Sequence, residues 1–453
     1  MITARQENAR TLAAAIGKNE HEADQLLDTS VLITAGPADT SLAELIHNLL
    51  SRTLTNIITQ PCATAPTVEI VLGSAQPRTN ARIVGVGVDH YRLEVRDGRV
   101  DIGARGPKII ELLAACYASA TAVQSALDAE FPIPLRLPIE VDLGALLGEA
   151  VTCLTSPLDL GVSYLAGAGA IGNGFLLGLT AFDVRGELHM CDPDTASDGN
   201  LNRCYWFTPA DVGKYKAARL VELAQPHLPA LRLIPHLCVL KDVPAAREGG
   251  AWLDKLIVGV DSRRARRALQ NELPRHVFDA STSGITEVVL HFNTQPGASA
   301  CLSCIYHEAP DESAHEAHVA QTLGVSRDEV KANFITAVAA HTIAARYGLL
   351  PKELEGLAYD SVFKQLCGTG ELKVEAQRVL APFGFVSILA GVMLAIEVAR
   401  RARANDAGLP FNYWRVSPWR STVLRLREQR AKREGCEFCD NEEIQAAARQ
   451  LWK

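Results

Sequence analysis

The sequence predicts an α/β chain built on a doubly wound, Rossmann-like parallel sheet, and three observations carry that expectation. A glycine loop, GAGAIG, with Gly167, Gly169 and Gly172 in the G-x-G-x-x-G register, follows one apolar run and opens another. The next strand-like stretch, GELHMCD, ends in an acidic residue, Asp192. Strand and helix patterns then alternate through AARLVELAQPHL, ALRLIPHLCVL, KLIVGVDS and HVFDAS, as a parallel sheet with crossover helices requires.

In chain order, residues 1–155 read as a separate α/β domain. An opening helix is followed by VLITAGP as a strand, SLAELIHNLLSRTLTNI as a helix, VEIVLGS, ARIVGVGV and YRLEVRDG as strands, and GPKIIELLAACYASATAVQSALD as a helix. The stretch around Val71–Ser74 lacks the glycine spacing of a phosphate loop, so this domain has no catalytic set of its own. LRLPIEVDLGALLGEAVTC is read as a connector. Residues 156–304 and 381–453 form the nucleotide-type domain, interrupted at 305–380 by a helical insertion. Pro382 opens an apolar run, Phe383–Ile396, that is too short to span a bilayer and reads as a buried helix.

The loops beyond the glycine motif carry the chemistry. Asp192 could hold ribose hydroxyls, but Asp194, Asn200, Arg203 and Lys216 follow it within a few turns. A hydride-transfer enzyme has no use for an arginine and a lysine there. A site that splits ATP between its α- and β-phosphates does, because negative charge accumulates on the leaving pyrophosphate. An NAD-dependent oxidoreductase therefore accounts for the glycines and Asp192 only.

The set G-x-G-x-x-G, D-x-D-T, N-L-x-R and G-K-x-K-A resembles the ThiF/MoeB/HesA and ubiquitin-activating superfamily of adenylating enzymes, from roughly Gly161 to Cys304 and again from about Ala381 to Cys439. The resemblance implies that Gly167, Gly169 and Gly172 admit the phosphates of ATP and that Asp192 and Asp194 lie at the nucleotide. Asn200, Arg203 and Lys216 would hold the phosphates, the last two catalytically, and Asp261 would bind magnesium. Ser262 and Val260 replace the Asn and Thr that flank this aspartate in relatives. An arginine-donating R-Y-x-R-Q motif is not found; Arg5-Gln6 echoes it and is read as a solvated helix face. Since relatives often pair an active fold with a degenerate copy, residues 1–155 are either such an inactive half or an unrelated accessory domain.

Two CxxC pairs, Cys301/Cys304 and Cys436/Cys439, offer four soft thiolates suited to tetrahedral zinc, against the alternatives of chance pairs or one redox CxxC. Relatives place their pairs at the same points, which implies a structural zinc. In thioester-forming relatives a nucleophilic cysteine lies in the insertion, and Cys367, followed by Gly-Thr-Gly, holds that place; the alternative is an inert buried thiol. His307, His315 and His318 are read as dotting a solvated helix. Trp414 and Trp419, in a basic stretch, are read as packing residues.

The resemblance implies an enzyme that adenylates the C-terminal carboxylate of a ubiquitin-like β-grasp protein ending in glycine and passes it to its own cysteine. A conjugating enzyme is a further implied partner, and a homodimer or pseudo-dimer of adenylation folds the implied assembly. A sulfur-carrier activator of the thiamin or molybdenum-cofactor type would share every nucleotide residue without the thioester step. A non-catalytic scaffold would have shed the charged groups. The net charge of -7 argues against nucleic acid, the charged opening segment against a signal peptide, and eleven cysteines are expected as reduced thiols in the cytoplasm, away from any membrane.

Overall fold

Two sheets, each wound from parallel strands, share one long buried helix. The computed structural model describes residues 2–60, 65–243, 252–308, 310–332, 334–357, 359–368, 381–403 and 411–452. The first sheet contains β1 (Ser30–Thr34), β2 (Asn56–Ile58), β3 (Val68–Leu72), β4 (Arg82–Asp89), β5 (Arg92–Asp97), β6 (Ala104–Arg105) and β7 (Ile139–Asp142). Its order is β2-β1-β3-β4-β5-β7, parallel from β2 to β4 and antiparallel beyond, with β6 paired to β4. Three of these strands differ from the sequence reading, the two-residue β6 among them. The helix expected through Ile57 stops at Leu50, leaving β2 as a three-residue edge strand. The connector contributes β7, whose alternating burial marks it as the strand that covers β5.

The second sheet contains β8 (Leu158–Ala166), β9 (Val184–Cys191), β10 (Leu231–His236), β11 (Lys255–Val258), β12 (His276–Ser283), β13 (Glu287–Thr294), β14 (Tyr413–Val416) and β15 (Arg427–Glu428). The order β10-β9-β8-β11-β12 is parallel, and β13, β14 and β15 add antiparallel strands. Strand order reverses between β8 and β11, the switch point at which doubly wound sheets bind ligands outside the strands' carboxyl ends. Of the strand expected over TVLRLREQ, three residues form a 3₁₀ turn and two lie in β15.

The shared helix is Gly384–Arg403, the apolar run foreseen after Pro382. It packs against the glycine-loop helix Ala170–Leu179 and against Lys108–Leu127 of the first domain. Ile388, Leu389 and Val392 are fully buried on it, each contributing about 1.5–3 kcal/mol by burial. Lys108–Glu130 is long and apolar enough to cross a membrane, and 94% of its apolar window is buried within the fold. Trp414 and Trp419 are buried, as packing residues should be. The insertion is helical: Pro310–Leu323, Arg327–Lys331, Ala337–Tyr347, Pro351–Leu354 and Tyr359–Gly368 enclose an apolar core of their own around Leu323, Ile343 and Tyr359. His315 and His318 do not dot a solvated face; they are half-buried, with edges toward Phe363 at 5.8 and 5.5 Å.

Candidate adenylation site and cysteine cluster

The glycine loop joins β8 to the helix Ala170–Leu179, and its three glycines do different work. Gly167 has φ +99°, and a Cβ there would lie 2.9 Å from the carbonyl carbon of Gly259. At Gly172 a Cβ would lie 2.3 Å from the Gly167 carbonyl oxygen, so the helix can seat on the loop only without a side chain. Gly169, the residue that caps the helix, faces open space. That opening lies beside the amino end of a ten-residue helix, whose free N–H groups favour negative charge.

Asp192 follows β9 directly and is buried. Its carboxylate accepts hydrogen bonds from the backbone N–H of Ala168 at 2.7 Å and of Asp194 at 2.8 Å. Burial pushes its pKa up to about 6; Lys216 and the two N–H groups oppose the rise, and Asp194 adds to it. Lys216 opens the helix Lys216–Ala224, donates its Nζ to Asp194 at 2.9 Å, and has its backbone N–H on the Asp194 carbonyl. Burial works against its charge, yet Asp194 and Asp192 outweigh that and hold the ammonium above its ordinary range. A cation and two carboxylates thus stand together at the end of β9.

Arg203 donates Nη1 to the carbonyl of Gly199 and to Oδ1 of Asn202, each at 2.7 Å. Its Nε and Nη2 have no partner among the described residues. Asn200 turns its side-chain Oδ1 back to accept from the Ser197 N–H at 3.0 Å, capping the short turn that precedes Arg203. Asp261 is exposed and lies three residues beyond the end of β11, not within the strand as the sequence suggested. Its loop is set by Gly259, whose N–H bonds the Ala166 carbonyl at 2.9 Å, and by Arg266. The Arg266 guanidinium is buried, bonded to the Val260 carbonyl and paired with Asp279, which also accepts from Tyr306.

Asn173 escaped the sequence reading. Fully buried, it donates to the carbonyls of Ala168 and Gly169 and accepts from the N–H of Trp206 at 3.0 Å, tying the glycine loop to the Arg203 segment. An asparagine directly after the third glycine was the available signal. A separate cavity of about 330 Å³ lies at the opposite end of the sheet, among Asp254, Arg275 and Thr294, and belongs to no part of this site.

The four cysteine sulfurs of Cys301, Cys304, Cys436 and Cys439 are buried and lie within 4.8 Å of one another, with close pairs at 3.5–3.7 Å. A disulfide needs about 2.05 Å. Four sulfurs about 2.3 Å from a central zinc would form a tetrahedron with edges of about 3.8 Å. The donor set and spacing fit that ion, and the Arg433 N–H donates to the Cys304 sulfur at 3.3 Å, as suits a thiolate. Cys367 falls in the helix Tyr359–Gly368, but its side chain lies outside the described residues.

A family model described as ThiF family matches residues 162–438, and one described as E1 N-terminal domain matches residues 1–148. The chain belongs to the ThiF family. This ThiF-family chain is 25% identical over 414 residues to uncharacterized protein y4jF of Sinorhizobium fredii, covering 84% of the chain and 77% of that protein. It is 28% identical over 155 residues to the NEDD8-activating enzyme E1 catalytic subunit of Saccharomyces cerevisiae, a match spanning 32% of the chain and 51% of that enzyme. A solved structure of E. coli MccB with AMPCPP and selenomethionine MccA covers 72% of the chain and 74% of its own, at 14% identity and a TM-score of 0.37. Membership makes the second sheet an adenylation domain of the E1-like kind and its enzyme class adenylyltransferase.

Proposed function

We propose that this ThiF-family chain adenylates the C-terminal carboxylate of a ubiquitin-like β-grasp protein and then takes it onto Cys367 as a thioester. The observation that carries the reading is the protonated Lys216 held against Asp194 and Asp192 beside the open face of the glycine loop. In the first step a carboxylate oxygen attacks the α-phosphorus of ATP and pyrophosphate leaves. Arg203 and Lys216 neutralise the charge that grows on it, and donors fixed before the reaction cost no reorganisation during it. Asn200 borders the phosphates, and Asp192 and Asp194 border the ribose. Asp261 would hold magnesium, a hard cation that bridges phosphate oxygens. In the second step the thiolate of Cys367 attacks the carbonyl carbon and AMP leaves. The insertion, with its own core, supports a separate thioester-bearing unit and favours this reading over a sulfur-carrier activator. Zinc in the four-cysteine cluster would be structural. A conjugating enzyme would receive the thioester, and the pairing of adenylation folds would come from the two sheets or from a homodimer.

A thermal-shift panel with magnesium-ATP, AMP, NAD and NADP tests the reading without knowledge of the protein substrate. A ligand that binds only the native state raises its stability with the logarithm of concentration over Kd. A rise with magnesium-ATP that disappears in Asp261→Ala is expected. A rise with NAD and none with ATP would overturn the reading.

A further inference from the structure

Besides the packing on the shared helix, the first domain touches the second at the segment 198–207 that carries Arg203. The helix Ala4–Ile16 presents its first free N–H, that of Ala4, to Oδ1 of Asp198 at 2.8 Å. Buried Asn8 accepts from Nδ2 of buried Asn202 at 2.9 Å and donates its own Nδ2 to the carbonyl of Arg52 at 2.6 Å. Asn202 in turn accepts from Nη1 of Arg203. The Arg52 guanidinium meets the same segment from the other side, donating to the carbonyls of Leu201, Tyr205 and Phe207, with its face toward the Tyr205 ring at 5.7 Å. Burial disfavours its charge, so the cation stays in place at a cost that these carbonyls offset.

We infer that Asn8 and Arg52 are positioning residues for Arg203, so that the first domain completes the phosphate-binding half of the site. The chemistry runs through one hydrogen-bond relay. Asn8 fixes the amide orientation of Asn202, whose oxygen then faces Nη1 of Arg203, and this turns the remaining guanidinium edge outward. Arg52 clamps three carbonyls of the same loop and fixes its backbone. Neither residue is placed at the nucleotide; each acts by limiting where the Arg203 guanidinium can be. A displacement of about 1 Å is enough to cost a large part of such a contact.

This inference rests on the assignment of Arg203 to the leaving pyrophosphate, and the test separates the two. Calorimetric titration of the full-length chain with magnesium-ATP and, separately, with AMP is made for the wild type, Asn8→Ala and Arg52→Lys. AMP lacks the phosphates that Arg203 would hold. Both variants are expected to bind magnesium-ATP about tenfold or more weakly, the scale of one charge-assisted hydrogen bond, while binding AMP as the wild type does. A merely structural role would weaken both ligands alike, so equal losses, or none, would overturn the inference. Should Asn8→Ala fail to fold, Arg52→Lys, which keeps the charge but forms fewer bonds, decides by the same ratio. A wild type that binds AMP but gains nothing from the added phosphates would overturn the Arg203 assignment and the inference with it.

Discussion

Each sheet buries one carboxylate beside the end of its first strand, and the two are treated oppositely. Glu69, on β3, accepts from the hydroxyls of Thr34 and Thr79 and from the backbone N–H groups of Arg78 and Thr79. Arg78 lies over the same strand ends, bonded to the carbonyls of Ile33 and Thr59. Burial would raise the Glu69 pKa, but these donors more than offset it and the pKa is lowered. Asp192 has two N–H donors and a neighbouring aspartate, and its pKa stays up near 6. In the first sheet the strand ends are filled by the protein's own polar groups. In the second the carboxylate has two donors where Glu69 has four, beside a loop with open space at Gly169. A carboxylate satisfied from within is a structural device, whereas one left wanting is disposed to take a ligand.

Substitutions can break this contrast. The largest effect is expected at the second sheet: Lys216→Ala should lower adenylation, measured as pyrophosphate release, by about a hundredfold or more. Glu69→Ala should leave that rate unchanged, and equal losses of activity would erase the distinction. Next comes the cysteine cluster, which is the one group of this kind among the described residues and belongs to the second sheet. In a metal assay the wild type should hold zinc and Cys436→Ser should not, and the variant should have a lower unfolding temperature of the second unit, with several kcal/mol at stake. Glu69→Ala should then cost about 2–3 kcal/mol in denaturant unfolding, because it leaves buried donors unmet.

The pH dependence sharpens the contrast further, since the two carboxylates contribute slopes of opposite sign. Asp192, raised in the folded state, stabilises the fold fully below its unfolded pKa near 4, and this contribution is lost as pH rises through about 6. The difference in stability between wild type and Asp192→Asn should therefore shrink by about 2–3 kcal/mol from pH 4 to pH 6.5. For Glu69, lowered in the folded state, the contribution is present above its unfolded pKa and is lost as pH falls below it. Parallel profiles for the two variants would contradict this account. The smallest effect on adenylation is expected from Cys367→Ala, which should release pyrophosphate at the wild-type rate and form no thiol-sensitive adduct.

The parts of this molecule that announce themselves in the sequence are those whose chemistry is local. GAGAIG, the aspartates after β9 and the two CxxC pairs are short patterns, and β4 and β9 are long enough to read as strands. β2 and β7 were missed because three or four residues at an edge carry almost no periodic signal. Asn8 and Arg52 were illegible for another reason. Their partners are largely backbone carbonyls or side chains far along the chain, with Arg52 and Leu201 149 positions apart, and a carbonyl has no sequence identity to read. The displacement of Asp261 beyond its strand reflects how early β11 ends, at Val258.

Gly391 sits at the middle of the shared helix, where a Cβ would come 2.3 Å from the backbone of Gly174 and Phe175. The helix that begins at the glycine loop is therefore pressed backbone to backbone against its neighbour. Any side chain added at Gly391 must push that helix, and the loop at its tip, out of register with β8. In a mutational scan scored by catalysis, Gly391 would register as an active-site position although it belongs to the opposing helix. Selection on nucleotide chemistry would then preserve a residue whose only contribution is the absence of a methyl group.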